Sequence, residues 1–145
     1  MTAHWLADTS AVVRLLRDDR AYAQWEDMLT RRLVAVCPIS ELEVYYSARS
    51  AADRANLLDE VGEVFGWLAM PDRAYERALT VQAELTSRGQ HRALGPVDLL
   101  VAAAADLHGV TLLHYDRDFD QIASVSGQAM QWLAEPGTLD LPKAR

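Results

Sequence analysis

Short, continuous runs of apolar residues alternate along the chain with longer segments whose apolar residues recur at helical spacing. The short runs predict strands, and the longer segments predict amphipathic helices. The predicted strands are residues 4–7, 33–37, 67–70, 111–114 and 128–133. The predicted helices are residues 10–17, 21–32, 40–49, 52–65, 72–88 and 97–108.

Strands that alternate with helices favour parallel pairing through right-handed crossovers, with helices packed on both faces of the sheet. The pattern therefore predicts an α/β fold, a single three-layer α/β/α domain around a central, mainly parallel sheet. A chain of 145 residues is a common size for one domain. We expect a core over residues 4–133 and a C-terminal tail over 134–145, because the Pro-rich stretch from Glu135 carries little helix or strand signal.

Composition and charge narrow the classes of function. The longest uninterrupted apolar run, Leu99 to Ala105, is far shorter than the roughly 20 residues that span a bilayer, so no membrane segment is expected. No secretory signal is visible, which makes the cytoplasm the expected compartment. A net charge of −7 argues against strong general affinity for nucleic acid. The basic residues are almost all arginine, however, and arginine binds phosphate in a bidentate fork. The net charge therefore does not exclude a local phosphate-binding patch of arginines.

Four acids, each attached to an apolar element, are scattered along the sequence at Asp8, Glu43, Asp98 and Asp116. A buried carboxylate without a partner is costly enough to shift its pKa or to attract a cation. Two carboxylates about 4 Å apart repel by roughly 4 kcal/mol at an effective dielectric constant of 20, so a cluster of them needs a cation. Oxygen ligands select hard ions, and Mg²⁺ or Mn²⁺ fits better than Zn²⁺, which favours His and Cys. The four acids thus predict a divalent-metal site.

Each acidic motif also has a structural interpretation. Asp8 can cap the helix that follows it, as can Thr9 and Ser10, whose hydroxyls could instead hold a water or a phosphate oxygen. Asp98 and Asp116 can be first-turn acids favoured by the helix dipole. The structural interpretation does not explain why Asp8 and Asp116 each directly follow a different predicted strand of one chain.

The helix over residues 40–49 contains two acids, Glu41 and Glu43. At about 100 degrees per residue they point roughly 200 degrees apart, so only one of them can face a given pocket. Periodicity alone does not decide between them.

Arginines and tryptophans are the remaining candidates for contacts with nucleic acid. The candidate phosphate-binding residues are Arg14, Arg17, Arg49, Arg92 and Arg117, of which Arg117 lies nearest to the acids in sequence. Each has the alternative of a solvated helix surface. Trp25, Trp67 and Trp132 lie in amphipathic or strand contexts, and we interpret them as core or interface residues rather than as base-stacking platforms.

Four segments carry a family resemblance: Leu6-Ala-Asp8-Thr-Ser-Ala, Ile39-Ser-Glu-Leu-Glu43-Val-Tyr-Tyr-Ser-Ala, Val97-Asp98-Leu-Leu-Val-Ala-Ala-Ala and Leu113-His-Tyr-Asp116-Arg-Asp-Phe119. In order, spacing and total length, the chain resembles PIN-domain ribonucleases from residue 4 to about residue 133. More narrowly, it resembles the VapC toxins of type II toxin–antitoxin systems. Any one of the segments is weak, but four in sequence are specific.

The resemblance implies a site, a reaction and a partner. It implies an acidic quartet of Asp8, Glu43, Asp98 and Asp116, with Asp118 as an accessory acid, and it favours Glu43 over Glu41. It also implies Mg²⁺- or Mn²⁺-dependent hydrolysis of RNA, and a cognate VapB-type antitoxin whose segment lies across the site. Many relatives carry Thr or Ser two residues before the last acid of the quartet, where this chain has His114.

The resulting hypothesis is a metal-dependent endoribonuclease toxin, and the alternative is a non-catalytic PIN-like module that binds protein or RNA. A haloacid dehalogenase fits less well, because that family needs a second Asp where Ser10 stands. A receiver-type domain needs a late lysine, whereas the only lysine here is Lys143. The sequence leaves open which RNA is cut, whether one or two ions act, which antitoxin binds, and whether the chain forms a homodimer or a toxin–antitoxin hetero-oligomer. Apolar helix faces around residues 42–46 and 57–65 are candidate contacts for either partner.

Overall fold

A computed structural model of the protein describes residues 2–142. The end of the predicted tail, residues 143–145, lies outside this range, as does Met1. The strands are β1 (Trp5–Ala7), β2 (Val34–Val36), β3 (Gly66–Trp67), β4 (Thr111–His114) and β5 (Met130–Trp132). The helices are α1 (Thr9–Arg17), α2 (Asp19–Thr30), α3 (Pro38–Tyr46), α4 (Ala51–Val64), α5 (Ala74–Ser87), α6 (Pro96–His108) and α7 (Phe119–Ser126), followed by a C-terminal 3₁₀ helix (Thr138–Asp140).

The five strands form one parallel sheet in the order β3-β2-β1-β4-β5. Successive residues of β1 point to opposite faces, so Leu6 packs into one apolar cluster and Ala7 into another. Their partners on β4 follow the same alternation, with Leu112 beside Leu6 and Leu113 beside Ala7. Helices cover both clusters, which confirms the predicted three-layer α/β/α architecture.

The strand order reverses between β1 and β4, where the chain runs to β2 and β3 on one side and to β5 on the other. Crevices at such reversals, beyond the carboxyl ends of the strands, are the usual ligand sites of open α/β sheets. Asp8 directly follows β1 and donates its backbone N–H to the Leu113 carbonyl of β4 at 3.0 Å. The fold therefore places the end of β1 beside the end of β4, which leads to Asp116.

Strand β3 is shorter and begins earlier than the sequence predicts. It covers Gly66 and Trp67, and pairing ends where the Leu68 N–H reaches the Val36 carbonyl at 2.9 Å. A Cβ atom on Gly66 would lie 3.1 Å from the Arg32 carbonyl oxygen, a tighter contact than most Cβ atoms make, so this approach favours glycine. Leu68 and Met70 lie beyond the strand and pack against the apolar cluster that contains Leu6, whereas Ala69 is exposed.

Two elements near the C-terminus have little sequence signal. Helix α7 is short and buries only Phe119 and Ile122 fully, which is too few positions to establish a helical period. The C-terminal 3₁₀ helix buries Leu139 to 6 % exposure against the cluster that contains Ala11 and Val12.

Within residues 2–142, no helix is both long enough and apolar enough to cross a membrane.

Candidate metal centre

Asp8 is the most buried acid of the predicted quartet, with 4 % of its surface exposed. Its Oδ1 accepts hydrogen bonds from the Ala11 N–H at 3.1 Å and the Ser10 hydroxyl at 2.6 Å, so it is the N-cap of α1. Burial raises its pKa from 3.8 to about 7, the two hydrogen bonds oppose this shift, and the charge of Asp98 adds to it. The structure therefore confirms the capping role of Asp8, and its role as a metal ligand stays a prediction.

Ser10 and Thr9, predicted as support for the site, use their hydroxyls differently. The Ser10 hydroxyl donates to Asp8 and accepts the backbone N–H of Tyr115 at 2.9 Å, so it ties the end of β1 to the end of β4. The Thr9 hydroxyl oxygen is buried and has no hydrogen-bond partner within residues 2–142. A buried polar atom beside a buried carboxylate is expected to meet a water or a ligand oxygen.

Asp98 is the third residue of α6, which begins at Pro96. Its Oδ2 accepts the Gly95 N–H at 3.3 Å, which caps the helix. Its pKa is raised from 3.8 to about 6, mainly by burial and to a lesser extent by the charges of Glu43, Asp116 and Asp118. Because Asp98 also acts on Asp8, the other four predicted acids all lie within electrostatic range of Asp98.

Asp116 and Asp118 form a local turn after β4. The Asp116 Oδ1 accepts the Asp118 N–H at 2.9 Å, and the Asp116 N–H in turn donates to Nδ1 of His114 at 3.2 Å. His114 is buried at 1 % exposure, and burial lowers its pKa, so the ring stays neutral with its proton on Nε2. The histidine that departs from the family pattern thus accepts the backbone N–H that orients Asp116.

The two acids of α3 have different environments. Glu41 accepts the indole N–H of Trp67 at 2.7 Å and the hydroxyl of Tyr45 at 3.3 Å, so it belongs to the α3–β3 surface. Glu43 is half-buried and acts on Asp98. The structure therefore places Glu43 within electrostatic range of Asp98 and Glu41 against Trp67, in agreement with the choice of Glu43 that the resemblance implies.

None of the ion pairs within residues 2–142 involves any of these five acids. The pairs are Arg14–Asp140, Arg20–Asp18, Arg31–Asp27, Arg73–Glu76 and Arg77–Asp106. Nor does the described part of the chain contain three or more His, Cys, Asp or Glu side chains converged as a ready-made cage. A hard cation that keeps several waters fits this arrangement, because it needs only one or two direct carboxylate ligands and compensates the remaining charge at longer range.

The candidate arginines divide into engaged and free side chains. Arg14 is bound to the tail, through Asp140 at 2.9 Å and the Leu139 carbonyl at 3.2 Å. Arg117 is exposed, and within residues 2–142 its guanidinium makes no ion pair or hydrogen bond. Arg17, Arg49 and Arg92 are exposed on the surface. Arg117 is therefore the free cation adjacent to Asp116.

Aromatic residues around Asp116 were only partly anticipated. Trp25 is a core residue, as predicted, at 3 % exposure. Trp132 instead lines a cleft that also contains Asp116, and Tyr115, which sequence reasoning did not select, forms part of the same wall. The available signal was position, because Tyr115 immediately precedes the acid and Trp132 ends the neighbouring strand.

Comparison with known proteins agrees with this geometry. The family model of the PIN domain matches residues 6–125. Ribonuclease VapC51 of Mycobacterium tuberculosis is 39 % identical over 140 residues, which cover 97 % of this chain and 100 % of the relative. Ribonuclease VapC21 of the same species is 36 % identical over 138 residues, covering 95 % and 99 % respectively. The chain therefore belongs to the PIN-domain family and, within it, to the VapC group.

A solved structure shows the same fold at lower sequence similarity. The crystal structure of VapBC2 from Rickettsia felis, bound to a DNA fragment from their promoter, matches with a TM-score of 0.74 at 18 % identity. The match covers 91 % of this chain and 98 % of that chain. At this identity the likeness supports the architecture alone.

Proposed function

We propose that this protein is a metal-dependent endoribonuclease toxin that hydrolyses phosphodiester bonds of RNA and is inhibited by a cognate antitoxin. The relatives named as VapC ribonucleases extend over nearly the whole chain, which supports the reaction class. The observation that carries the proposal is the cluster of five acids at the strand-order reversal, none of them paired with a base within residues 2–142. We include in the proposal a single domain over residues 1–145 and a cytoplasmic location.

In this proposal Asp8, Glu43, Asp98 and Asp116 would hold Mg²⁺ or Mn²⁺, either directly or through its bound waters, with Asp118 as an accessory acid. The chemistry that such an ion supplies is a lowered pKa for an attacking water and neutralisation of charge that develops on the phosphate. The hydroxyl of Ser10 fixes the orientation of Asp8, and the backbone turn at Asp118 fixes that of Asp116. The Thr9 hydroxyl, which is buried without a partner within residues 2–142, is suited to a bound water, and the exposed guanidinium of Arg117, which makes no ion pair in that range, is suited to phosphate oxygens.

Cleavage of total bacterial RNA by purified, antitoxin-free protein tests the reaction. Discrete fragments are expected with Mg²⁺ or Mn²⁺, and none with EDTA. The variant Asp8→Asn keeps the acceptor oxygen that caps α1 but loses a charge, so it should remain folded and fail to cut. Full activity of the folded variant, or equal cleavage in EDTA, would reject the metal-dependent mechanism.

An antitoxin segment has a suitable surface on α3. Leu42 and Tyr46 are 67 % and 90 % exposed, and they lie on the same helix as Glu43. A polypeptide packed on this face would bury apolar surface and obstruct the acidic cluster in one contact. The same face could serve a homodimer. The mass in solution distinguishes the homodimer from the antitoxin complex, when it is measured for the protein alone and for the protein co-expressed with the product of an adjacent short reading frame.

The alternative is a PIN-like module that binds without cutting. Retention of all five acids favours the nuclease, because an uncompensated acidic cluster is destabilising and serves no purpose in a fold that holds no cation. Saturable RNA binding by a folded protein that cuts no RNA with either metal would favour the module.

A further inference from the structure

A cleft of about 290 Å³ opens beside Asp116 and differs from the acidic cluster in its chemistry. We call it the Trp132 cleft, and its walls include Tyr115, Asp116, Arg117, Trp132, Pro136 and Asp140. It therefore combines one acid of the candidate centre with two aromatic rings, a guanidinium and part of the C-terminal tail. Its volume is at the lower end of the range of small-ligand pockets.

The tail wall of the Trp132 cleft is firmly held. Arg20 donates to the carbonyl oxygens of Leu139 and Leu141, both at 2.9 Å, and the Tyr115 hydroxyl accepts the Leu139 N–H at 3.0 Å. Arg14 pairs with Asp140 and also lies over the Tyr115 ring, 4.8 Å from its centroid. These contacts engage both the hydroxyl and one face of Tyr115, so Tyr115 acts as structural support.

Trp132 differs from the other three tryptophans in its hydrogen bonding. Trp5 donates its indole N–H to Gln131, Trp25 to the Leu133 carbonyl and Trp67 to Glu41. Within residues 2–142, the Trp132 indole N–H makes no hydrogen bond, and the side chain is half-buried. The Trp132 ring lies 4.9 Å from the His114 ring and 5.6 Å from the Tyr115 ring, measured between centroids. The part of the ring that stays exposed in the cleft is available to a ligand, as is the indole N–H, which has no partner within residues 2–142.

We propose that the Trp132 cleft binds one unpaired nucleobase of the RNA, next to the phosphate that is cut. The ring of Trp132 provides a surface on which a base can stack, and its free N–H can donate to the base or the backbone. Arg117, which is exposed and unpaired within the described chain, holds the adjacent phosphate. Stacking needs an unpaired base, so the cleft selects single-stranded segments. This assignment rests on the proposed ribonuclease function, because it places the base relative to that site.

Binding to RNA that is not cut tests this assignment separately from catalysis. The measurement is fluorescence anisotropy in EDTA, in an Asp98→Asn background, with two labelled probes. One probe is a single-stranded RNA decamer of mixed sequence, and the other is an abasic ribose-phosphate decamer of equal length. Trp132→Leu, added to the Asp98→Asn background, should weaken binding of the RNA probe about tenfold relative to that background. Binding of the abasic probe should stay within twofold, because stacking requires bases.

Matched variants separate stacking from folding. Trp132→Phe keeps a ring that can stack and pack on His114, so it should bind RNA within about threefold of the background. Trp67→Leu is the control at the opposite edge of the sheet, where Trp67 is 59 % exposed, and should change RNA binding less than twofold. Arg117→Ala loses no side-chain hydrogen bond or ion pair within residues 2–142, and it should weaken the binding of both probes equally.

The inference is overturned if Trp132→Leu binds RNA as the background does, if it weakens both probes equally, or if Arg117→Ala changes neither. Failure of the proposed function has a different signature, in which the wild-type protein cuts no RNA with Mg²⁺ or Mn²⁺ while RNA binding still depends on Trp132.

Discussion

Ser10 accepts the backbone N–H of Tyr115 at 2.9 Å, across 105 positions of sequence, while its own proton goes to Asp8 at 2.6 Å. One hydroxyl therefore joins the ends of the two central strands and orients the most buried acid of the candidate centre. Because supporting residues of this kind set the position and charge of metal ligands, their removal usually costs 10–100-fold in affinity or activity.

Ser10→Ala should reduce RNA cleavage at pH 7 by roughly 10–100-fold. The lost hydrogen bond lowers the pKa of Asp8 in the wild type, so in the variant this pKa should rise and the rising limb of the pH–rate profile should move to higher pH. Ser10→Thr keeps the hydroxyl and should recover most of the rate. An unchanged rate and profile in Ser10→Ala would show that the bridge does not serve the site.

Glu43→Gln and Glu41→Gln form a matched pair on one helix. Glu43→Gln should lose at least about a hundredfold in cleavage rate, because Glu43 acts electrostatically on Asp98 and is one of the proposed cation ligands. Glu41→Gln should stay within about threefold, because Glu41 accepts from Trp67 and Tyr45 instead. The cleavage rates of the two variants at the same Mn²⁺ concentration test this assignment. A larger loss of rate in Glu41→Gln than in Glu43→Gln would reverse it.

Metal-free stability should depend on pH through Asp8. Its pKa is 3.8 in the unfolded chain and about 7 in the folded one, so the folded state binds the proton more tightly. Stability therefore falls as pH rises between these two values, with the loss complete above pH 7. Asp8→Asn keeps the helix cap and removes this loss, so it should be more stable than the wild type by roughly 2–4 kcal/mol at pH 8 and by much less at pH 5.

Thermal or urea unfolding in EDTA at the two pH values measures this difference. Comparison with the wild type at each pH cancels the titrations that are not coupled to Asp8, including that of His114, whose lowered pKa opposes folding at acidic pH. A variant less stable than the wild type at pH 8 would indicate that the Asp8 carboxylate is not an electrostatic burden in the metal-free fold.

The C-terminal tail should contribute to stability although its sequence gives little sign of structure. Leu139→Ala removes a side chain that is 6 % exposed and should cost about 2–4 kcal/mol of unfolding free energy. Leu141→Ala, at 62 % exposure, is the control and should stay within about 0.5 kcal/mol. Equal effects of the two substitutions in urea unfolding would show that the tail is not packed in solution.

Much of this architecture could be predicted from the sequence, because apolar runs and helical periods report burial directly. The parallel sheet, the acids at the strand ends and the burial of Trp25 follow from local pattern. The length of β3 could not be predicted, since it is set by the pairing of Gly66 and Trp67 with residues of β2 that are far away in sequence. The choice between Glu41 and Glu43 needed the position of Trp67, and the role of His114 needed the turn at Asp116.

The Trp132 cleft illustrates the same limit. Sequence context indicated a core or interface role for Trp132, because strand residues are usually covered. Its exposure follows from the position of β5 at the sheet edge and from the path of the tail, which Arg14 and Arg20 hold beside it. Such long-range contacts between polar side chains and backbone carbonyls leave no periodic signal.

Metal-dependent cleavage is tested most directly by the rate of RNA cleavage measured against Mn²⁺ concentration, for the wild-type protein and Asp98→Asn. We expect a saturable, EDTA-reversible rise in the wild type and a loss of at least about a hundredfold in the folded variant at every Mn²⁺ concentration. A wild-type rate that is independent of Mn²⁺, or a variant rate equal to that of the wild type, would show that these acids do not form a catalytic metal site.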